Sequence, residues 1–459
     1  MVLFFQVVMT KILLKCPSRS RPSQVLTTLR RYLDMAVRPD LIGIVVSCDI
    51  DDATMTGADV QQQLFQVISR FAWNALYFGA NANKIEACNA DIAKVDYPWD
   101  IVVLVSDDMI PEVRGYDEYI RRAMTPDRDC VVWFNDGFQG DRLNTLSMYG
   151  RVLYDRLGSM YSPEYKSFYC DTELTDLCKT TLRDKTVYNP TCIIRHRHPA
   201  LGYKVAVDSL YLRNNRYFEE DLRTYISRKT YEFDLSVLIP TLVERRAQCE
   251  QLKASLRERF GRLCPGLRLE IAEAIDNREM SVGMKRRLLL NNAKGKYSVF
   301  IDDDDEVTDA YFEDFMACFA AGNDVMRIRG QMAEHTFTHS IDIPLSGKLY
   351  VDGVFVRPPN HLNPMLADIA KLVTFEDATR GEDLKWTIDI AKTGFLRKET
   401  QSDPSRIHYI YNIKGRPVPA QVIEYQKTHT YEDWIKILLM PAKVKTGGLR
   451  LTSRGFVSK

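Results

Sequence analysis

Short apolar runs alternate along this chain with stretches of helical periodicity, and the order occurs twice. Near the start, "KILLKC" (11–16) predicts a strand. After a proline-containing loop, Leu26, Leu29 and Leu33 recur at helical spacing and predict an amphipathic helix. Residues 234–258, "DLSVLIPTLVERRAQCEQLKASLRE", repeat that order. Val237 to Ile239 predict a strand, Pro240 a turn, and Leu252 and Leu256 the apolar face of a helix. The parallel continues. "LIGIVVSCDIDD" (41–52) and "LRLEIAEAIDN" (267–277) predict a second strand in each half. "YPWDIVVLVSDDM" (97–109) and "GKYSVFIDDDDE" (295–306) predict a third, ending in acids. Strands alternating with helices point to an α/β fold with a mostly parallel sheet in each half. The expected division is an N-terminal domain over 1–232, a C-terminal domain over 233–440 and a basic tail over 441–459.

The totals fit that picture. A chain of 459 residues suits two or three domains. Lysine and arginine number 62 against 61 acids, a net charge of +1 that supplies no global field for nucleic acid or membrane. Ten cysteines include no C-x-x-C pair, which argues against a zinc ribbon or redox motif and for reduced thiols in a cytosolic setting. The apolar opening, "MVLFFQVVMTKILLKCP", is broken by Lys11 and Lys15 well short of the ~20 residues a spanning helix needs. It also lacks the basic start of a signal peptide. No membrane span and a cytoplasmic location are therefore expected. The tail carries Lys443, Lys445, Arg450, Arg454 and Lys459 without an acid. It reads as a solvated terminus in preference to a phosphate-tracking arm.

The acidic strand ends carry the chemistry. Ligands of parallel α/β sheets bind beyond the carboxyl ends of the strands. There stand Asp107 and Asp108 in the front half, and Asp302 to Asp305 with Glu306 in the rear half. Such clusters either end a strand in water or hold a hard divalent cation together with substrate phosphates. Their recurrence at one place in a repeated unit favours the cation. No G-x-x-x-x-G-K-[ST] or G-x-G-x-x-G phosphate loop is present, which counts against a nucleotidyltransferase.

The rear half resembles family 2 glycosyltransferases of the GT-A fold through "SVLIPT", "AIDN" and "GMKRRLLLNNAKGKYSVFIDDDDE". That resemblance implies two GT-A-like domains in tandem. It implies a D-x-D-type motif in which Asp302 contacts the nucleotide sugar and Asp304 and Asp305 hold Mn²⁺ or Mg²⁺. Asp276, Lys285 and Arg286 would join the donor site. Arg287 stands where Asn is common. "TRGEDLKW" resembles the family's segment that carries the general base, making Asp383 the expected base with Glu382 beside it. A helix start is the plainer reading of those two acids.

The front half is similar to a divergent glycosyltransferase group of viral and bacterial genomes. The matching pieces are "PSRSRP", "SCDIDDATM", "NKIEACN", "WDIVVLVSDDMIP", "CDTEL" and "RHRHP". By that resemblance Asp107, Asp108 and His198 would hold the metal, and Asp171 or Glu173 would be the base. Arg19, Asp49, Asp51, Asp52 and Lys84 would line the nucleotide pocket. The implied partners are a nucleotide-sugar donor, a UDP-sugar first, and a glycan or other hydroxyl acceptor. Nucleic acid, as a hydroxymethylated base in DNA, is less favoured. For a viral chain the location would be host cytoplasm. The expected reaction is an inverting sugar transfer with one donor site per domain. The alternative is one catalytic domain beside an acceptor-binding module.

Overall fold

In the computed structural model, described for residues 9–197, 209–412, 420–431, 433, 449–452 and 455–458, the chain divides into two compact units, Met1–Lys229 and Thr230–Lys459. Unit one contains β1 (Ile12–Ser18), β2 (Ile42–Asp49), β3 (Trp73–Gly79), β4 (Ile101–Leu104), β5 (Met109–Pro111), β6 (Val131–Phe134), β7 (Met148–Gly150), β8 (Thr186–Asn189) and β9 (Ile194–His196). One sheet runs β3-β2-β1-β4-β7-β6-β8, and β5 pairs with β9. β1 lies parallel between β2 and β4. β7 is antiparallel to β4 and β6, and β8 is parallel to β6.

Unit two contains β10 (Phe233–Leu242), β11 (Leu269–Asp276), β12 (Gly295–Phe300), β13 (Glu306–Val307), β14 (Val325–Met326), β15 (Ile328–Met332), β16 (His335–His339), β17 (Tyr350–Val351), β18 (Val354–Arg357), β19 (Met365–Leu366), β20 (Glu399–Thr400) and β21 (Tyr409–Tyr411). Its central sheet runs β11-β10-β12-β19-β14-β20, and the strand directions follow the same scheme as β2-β1-β4-β7-β6-β8. The internal repeat thus extends from the matched sequence stretches to the whole sheet. The expected α/β class, two units each with a mostly parallel central sheet, is what the chain adopts. A second sheet, β13-β21-β15-β16-β18-β17, belongs to unit two alone. In the tail, β22 (Leu449–Thr452) pairs antiparallel with β23 (Gly455–Ser458).

The strands form where they do because both faces of each central sheet are covered. Ile12, Leu14 and Cys16 pack with Val25 and Leu29 of the helix Pro22–Met35. Leu13 faces the opposite core with Val45 and Tyr165. Burial on both sides explains the continuous apolar runs, each such side chain contributing about 1.5–3 kcal/mol. Lys15 is buried among them. Its Nζ donates to Ser47, which donates to Asp91 at 2.6 Å, and burial lowers it to about 8.

Pro17 and Pro240 correct the expectation of a loop and a turn, because each lies inside its strand. Pro17 pairs opposite Ser47 and Pro240 opposite Ala274. The other neighbours stop short, at Lys15–Leu104 and Leu238–Phe300, so the missing N–H faces no ladder. All ten cysteines are free thiols, and no described helix is long and apolar enough to cross a membrane.

Candidate active site

In unit one the carboxyl ends of β1, β2 and β4 open onto a cleft of about 400 Å³. Arg19, Arg21, Asp49, Lys84, Asp107, Asp108, Asp136, Asp171 and His196 all lie on its wall. Arg19 donates to Asp49 at 2.7 Å and is also paired with exposed Asp51. Arg21 donates to Asp107 at 3.2 Å, and its guanidinium lies over the Tyr211 ring at 4.6 Å.

Asp108 accepts from the Ser106 hydroxyl, and its other oxygen lies 3.5 Å from His196 Nε2. The second imidazole nitrogen, Nδ1, is 3.8 Å from Asp136. Asp136 also accepts backbone N–H bonds from Phe138 and Gln139, at 2.9 and 2.6 Å. The pairing of β5 with β9 sets Met109 opposite His196 and so fixes this contact. Burial alone would raise Asp108 and lower His196. Their mutual interaction, with Ser106 and Asp136, outweighs it. Asp108 is held well below the usual carboxylate range and His196 is pushed up to about 9.

The sequence-predicted residues divide. Asp171 starts the helix Cys170–Lys179 and faces the cleft, where burial raises its carboxyl against the pull of Lys84. Glu173 pairs with Arg228 at 2.7 Å instead. Asp52 is buried and accepts from Ser20 N at 2.6 Å and from Thr54, holding the loop in place of a ligand. His198 lies outside the described residues, and the histidine on the cleft wall is His196.

In unit two each aspartate of the run meets a partner. Asp302 accepts from Arg286 Nη2 at 3.1 Å. Asp303 accepts from Thr241 at 2.6 Å and from Arg245 Nη1 at 2.8 Å, and the same Nη1 reaches Asp304 at 3.4 Å. Asp305 accepts from the Tyr409 hydroxyl at 2.7 Å and from Asn412 N at 2.8 Å. Asp304 and Asp305, expected to hold the metal, thus each meet a partner within the protein. Both Asp305 oxygens are engaged in a buried position, and a guanidinium stands beside Asp304. Burial pushes Asp305 up to about 7.

Asp276 is paired with buried Lys285, whose Nζ donates to Thr241 O at 2.6 Å. Arg286 also donates to Glu382 at 3.2 Å, and burial raises that carboxyl to about 7 against the pull of Arg286. Glu382 and Asp383 open the helix Glu382–Thr393. Arg287 is spent on the Phe375 carbonyl, at 2.9 Å from Nε. A separate apolar cavity of about 320 Å³, bounded by Ile341, Pro344 and Leu396, carries none of the predicted residues.

The two sites occupy equivalent places in the repeat. Arg21 and Arg245 each precede the helix after the first strand. Asp171 and Glu382–Asp383 each start the helix between the antiparallel strand and the last one, that is β7 to β8 and β19 to β20. β9 and β21 each return antiparallel beside the acidic strand end, bringing His196 in one case and Tyr409 in the other. Sequence reasoning missed Arg245, Asp136, Tyr409 and His196, for which it took His198. Superposing the two repeats at their first helices would have found Arg245. Asp136 carries a local signal, since it follows the apolar strand Val131–Phe134.

No family model matches the chain, and no curated protein does. Among solved structures it is similar to the mannosyltransferase PcManGT from Pyrobaculum calidifontis, in complex with GDP-Man and Mn²⁺. The identity is 14% and the TM-score 0.38, over 48% of this chain and 65% of that one. It is similar to S. aureus TarS at 13% identity and a TM-score of 0.24, over 39% and 60%. It is also similar to a Drosophila galactosyltransferase 7 in complex with manganese, UDP-Gal and xylobiose. That likeness has 12% identity and a TM-score of 0.29, over 45% and 79%. The chain thus spans less than two thirds of the mannosyltransferase and of TarS.

Proposed function

We propose that the protein transfers a sugar from a nucleotide diphosphate, a UDP-sugar first, to a hydroxyl of a glycan or other acceptor, with one donor site in each unit. The observation that carries this reading is the unit-one cleft. It joins cations suited to a diphosphate, paired carboxylates suited to a hard cation, and a separate carboxylate suited to a hydroxyl. On its wall Arg21 and Lys84 oppose the charge that develops on the leaving diphosphate. Asp171 takes the acceptor proton, and burial, which raises its carboxyl, makes it a stronger base. The acceptor oxygen bonds to the anomeric carbon as the bond from that carbon to the β-phosphate oxygen breaks. The electron pair leaves with the diphosphate, and one displacement inverts the centre.

Among the described residues no group of three or more His, Cys, Asp or Glu is placed to hold a metal ion. A hard divalent cation shared with substrate phosphates needs only one or two carboxylates. Asp108 and Asp107 on the cleft wall meet that need, so unit one fits Mn²⁺ or Mg²⁺. When bound, such an ion neutralises charge on the departing diphosphate.

The mannosyltransferase and galactosyltransferase likenesses agree with this reaction class. The resemblance of unit two's segments to family 2 enzymes, and of unit one's to the viral and bacterial group, supports reading each unit as a transferase domain. The test is product analysis over a panel of nucleotide sugars. Free nucleoside diphosphate is expected, and its release should fall when Asp171 becomes Asn. Release of pyrophosphate would replace this reading with nucleotidyl transfer.

A further inference from the structure

We infer that unit two supplies its own cation. Arg245 takes the place that a divalent ion holds in unit one, and the donor diphosphate binds unit two without metal. This rests on the reading that unit two holds a donor site. The argument begins with the carboxylates. Asp303 is 3% exposed and bonded to both Thr241 and Arg245, and the Arg245 Nη1 that holds it also reaches Asp304. Asp302 is held by Arg286, and Asp305 by Tyr409 and Asn412. A divalent ion would have to displace a guanidinium from two carboxylates, or bind between two guanidinium groups.

The repeat supplies the comparison. In unit one the equivalent Arg21 donates to Asp107 at 3.2 Å and lies over the Tyr211 ring. Asp108 meets a hydroxyl and a histidine in place of a guanidinium. In unit two the strand returning beside the acidic end brings a tyrosine hydroxyl instead.

Arg245 also has donors to spare. Its side chain is 34% exposed, and its bonds to Asp303 and Asp304 both come from Nη1. Nε and Nη2 thus remain as a planar fork, which matches phosphate oxygens in pairs. It sits at the start of the helix Arg246–Leu263, whose first turn carries no acid and no side-chain cap. The positive end of that helix therefore lies next to Arg245 in the chain. Arg286, 4% exposed beside Asp302 and Glu382, keeps a buried Nε without a partner, an orphaned donor in the same cluster.

The experiment is calorimetric titration of the full chain with UDP and with GDP, in Mn²⁺ and again in EDTA. With the nucleotide that binds, two sites are expected in Mn²⁺ and one in EDTA. Arg245→Gln should abolish the EDTA-resistant site and leave the Mn²⁺-dependent one, which Asp108→Asn should remove. Arg245→Lys keeps a charge beside Asp303 while breaking the fork, and guards against a folding defect. It should weaken the EDTA-resistant site about tenfold or more with an unchanged melting temperature. Two sites in Mn²⁺ and none in EDTA would overturn the built-in cation while leaving two donor sites standing. A single site in Mn²⁺, removed by Asp108→Asn, would overturn the donor-site reading of unit two and this inference with it. Unchanged affinity in both Arg245 variants would also overturn it.

Discussion

Asp171 and Glu173 stand two residues apart in one helical turn and meet different surroundings. Asp171 faces the cleft with Lys84 near it, while Glu173 is tied to Arg228. Asp171→Asn should lower kcat by about 10²–10⁴-fold, the usual contribution of a positioned base. Glu173→Gln should leave kcat near wild type and cost at most about 1 kcal/mol of stability, because its partner is a partly exposed arginine. Steady-state kinetics on the two variants separates them, and equal losses would remove Asp171 from its role.

His196 makes a second prediction at this scale. Its pKa lies near 9 in the fold, above its ordinary 6.5, because Asp108 and Asp136 favour the imidazolium. A raised histidine stabilises the fold fully below about pH 6.5, and that stabilisation is lost as pH rises through about 9. In EDTA, the melting temperature of wild type should exceed that of His196→Gln at pH 6, and the gap should close by about pH 9.5. A gap independent of pH would show that the ring acts by packing alone.

In unit two the helix Val282–Asn292 carries Lys285 and Arg286 and approaches the chain at Glu376 closely. A Cβ on Gly283 would lie 1.9 Å from the Glu376 carbonyl oxygen. Ser281 caps this helix by accepting from Met284 N at 3.1 Å, while its hydroxyl donates to Asp377 at 2.6 Å. Gly283→Ala should therefore push the helix away and destabilise the protein by about 1–3 kcal/mol. The measurement is the urea midpoint, which should fall with little change in slope. The variant should also disturb any function that depends on Arg286 while sparing one that depends on Asp108.

At the scale of the whole chain, the repeated fold and its two differently balanced sites predict separable activities. Asp108→Asn should abolish one glycosidic product and Arg245→Gln another, each variant retaining what the other loses. Mass spectrometry of products from mixed nucleotide sugars reads this directly. Loss of every product in Asp108→Asn, with none lost in Arg245→Gln, would make unit two a binding module. The near-zero net charge agrees with a small diffusible donor and gives no general pull toward DNA.

The alternation of apolar runs and helical stripes determined the α/β class, the repeat and the acidic strand ends. These are local properties, since a strand buried on both faces must be apolar throughout and polar residues gather where it ends. Asp107 and Asp108 were legible as a strand end for that reason, whereas Asp171, at a helix start, was pointed to only by the resemblance of "CDTEL". The tertiary structure alone decided which charges meet. Arg245 lies 58 residues from Asp303 along the chain, and Tyr409 lies 104 residues from Asp305. A carboxylate paired within the protein and one left facing a cleft have the same sequence signature. Pro17 and Pro240 read as loop and turn because their neighbours on the sheet are invisible in sequence, and only the strand pairing shows that their missing N–H groups face no partner. Burial and pairing depend on contacts between distant segments, and those contacts are made only when the sheet has formed.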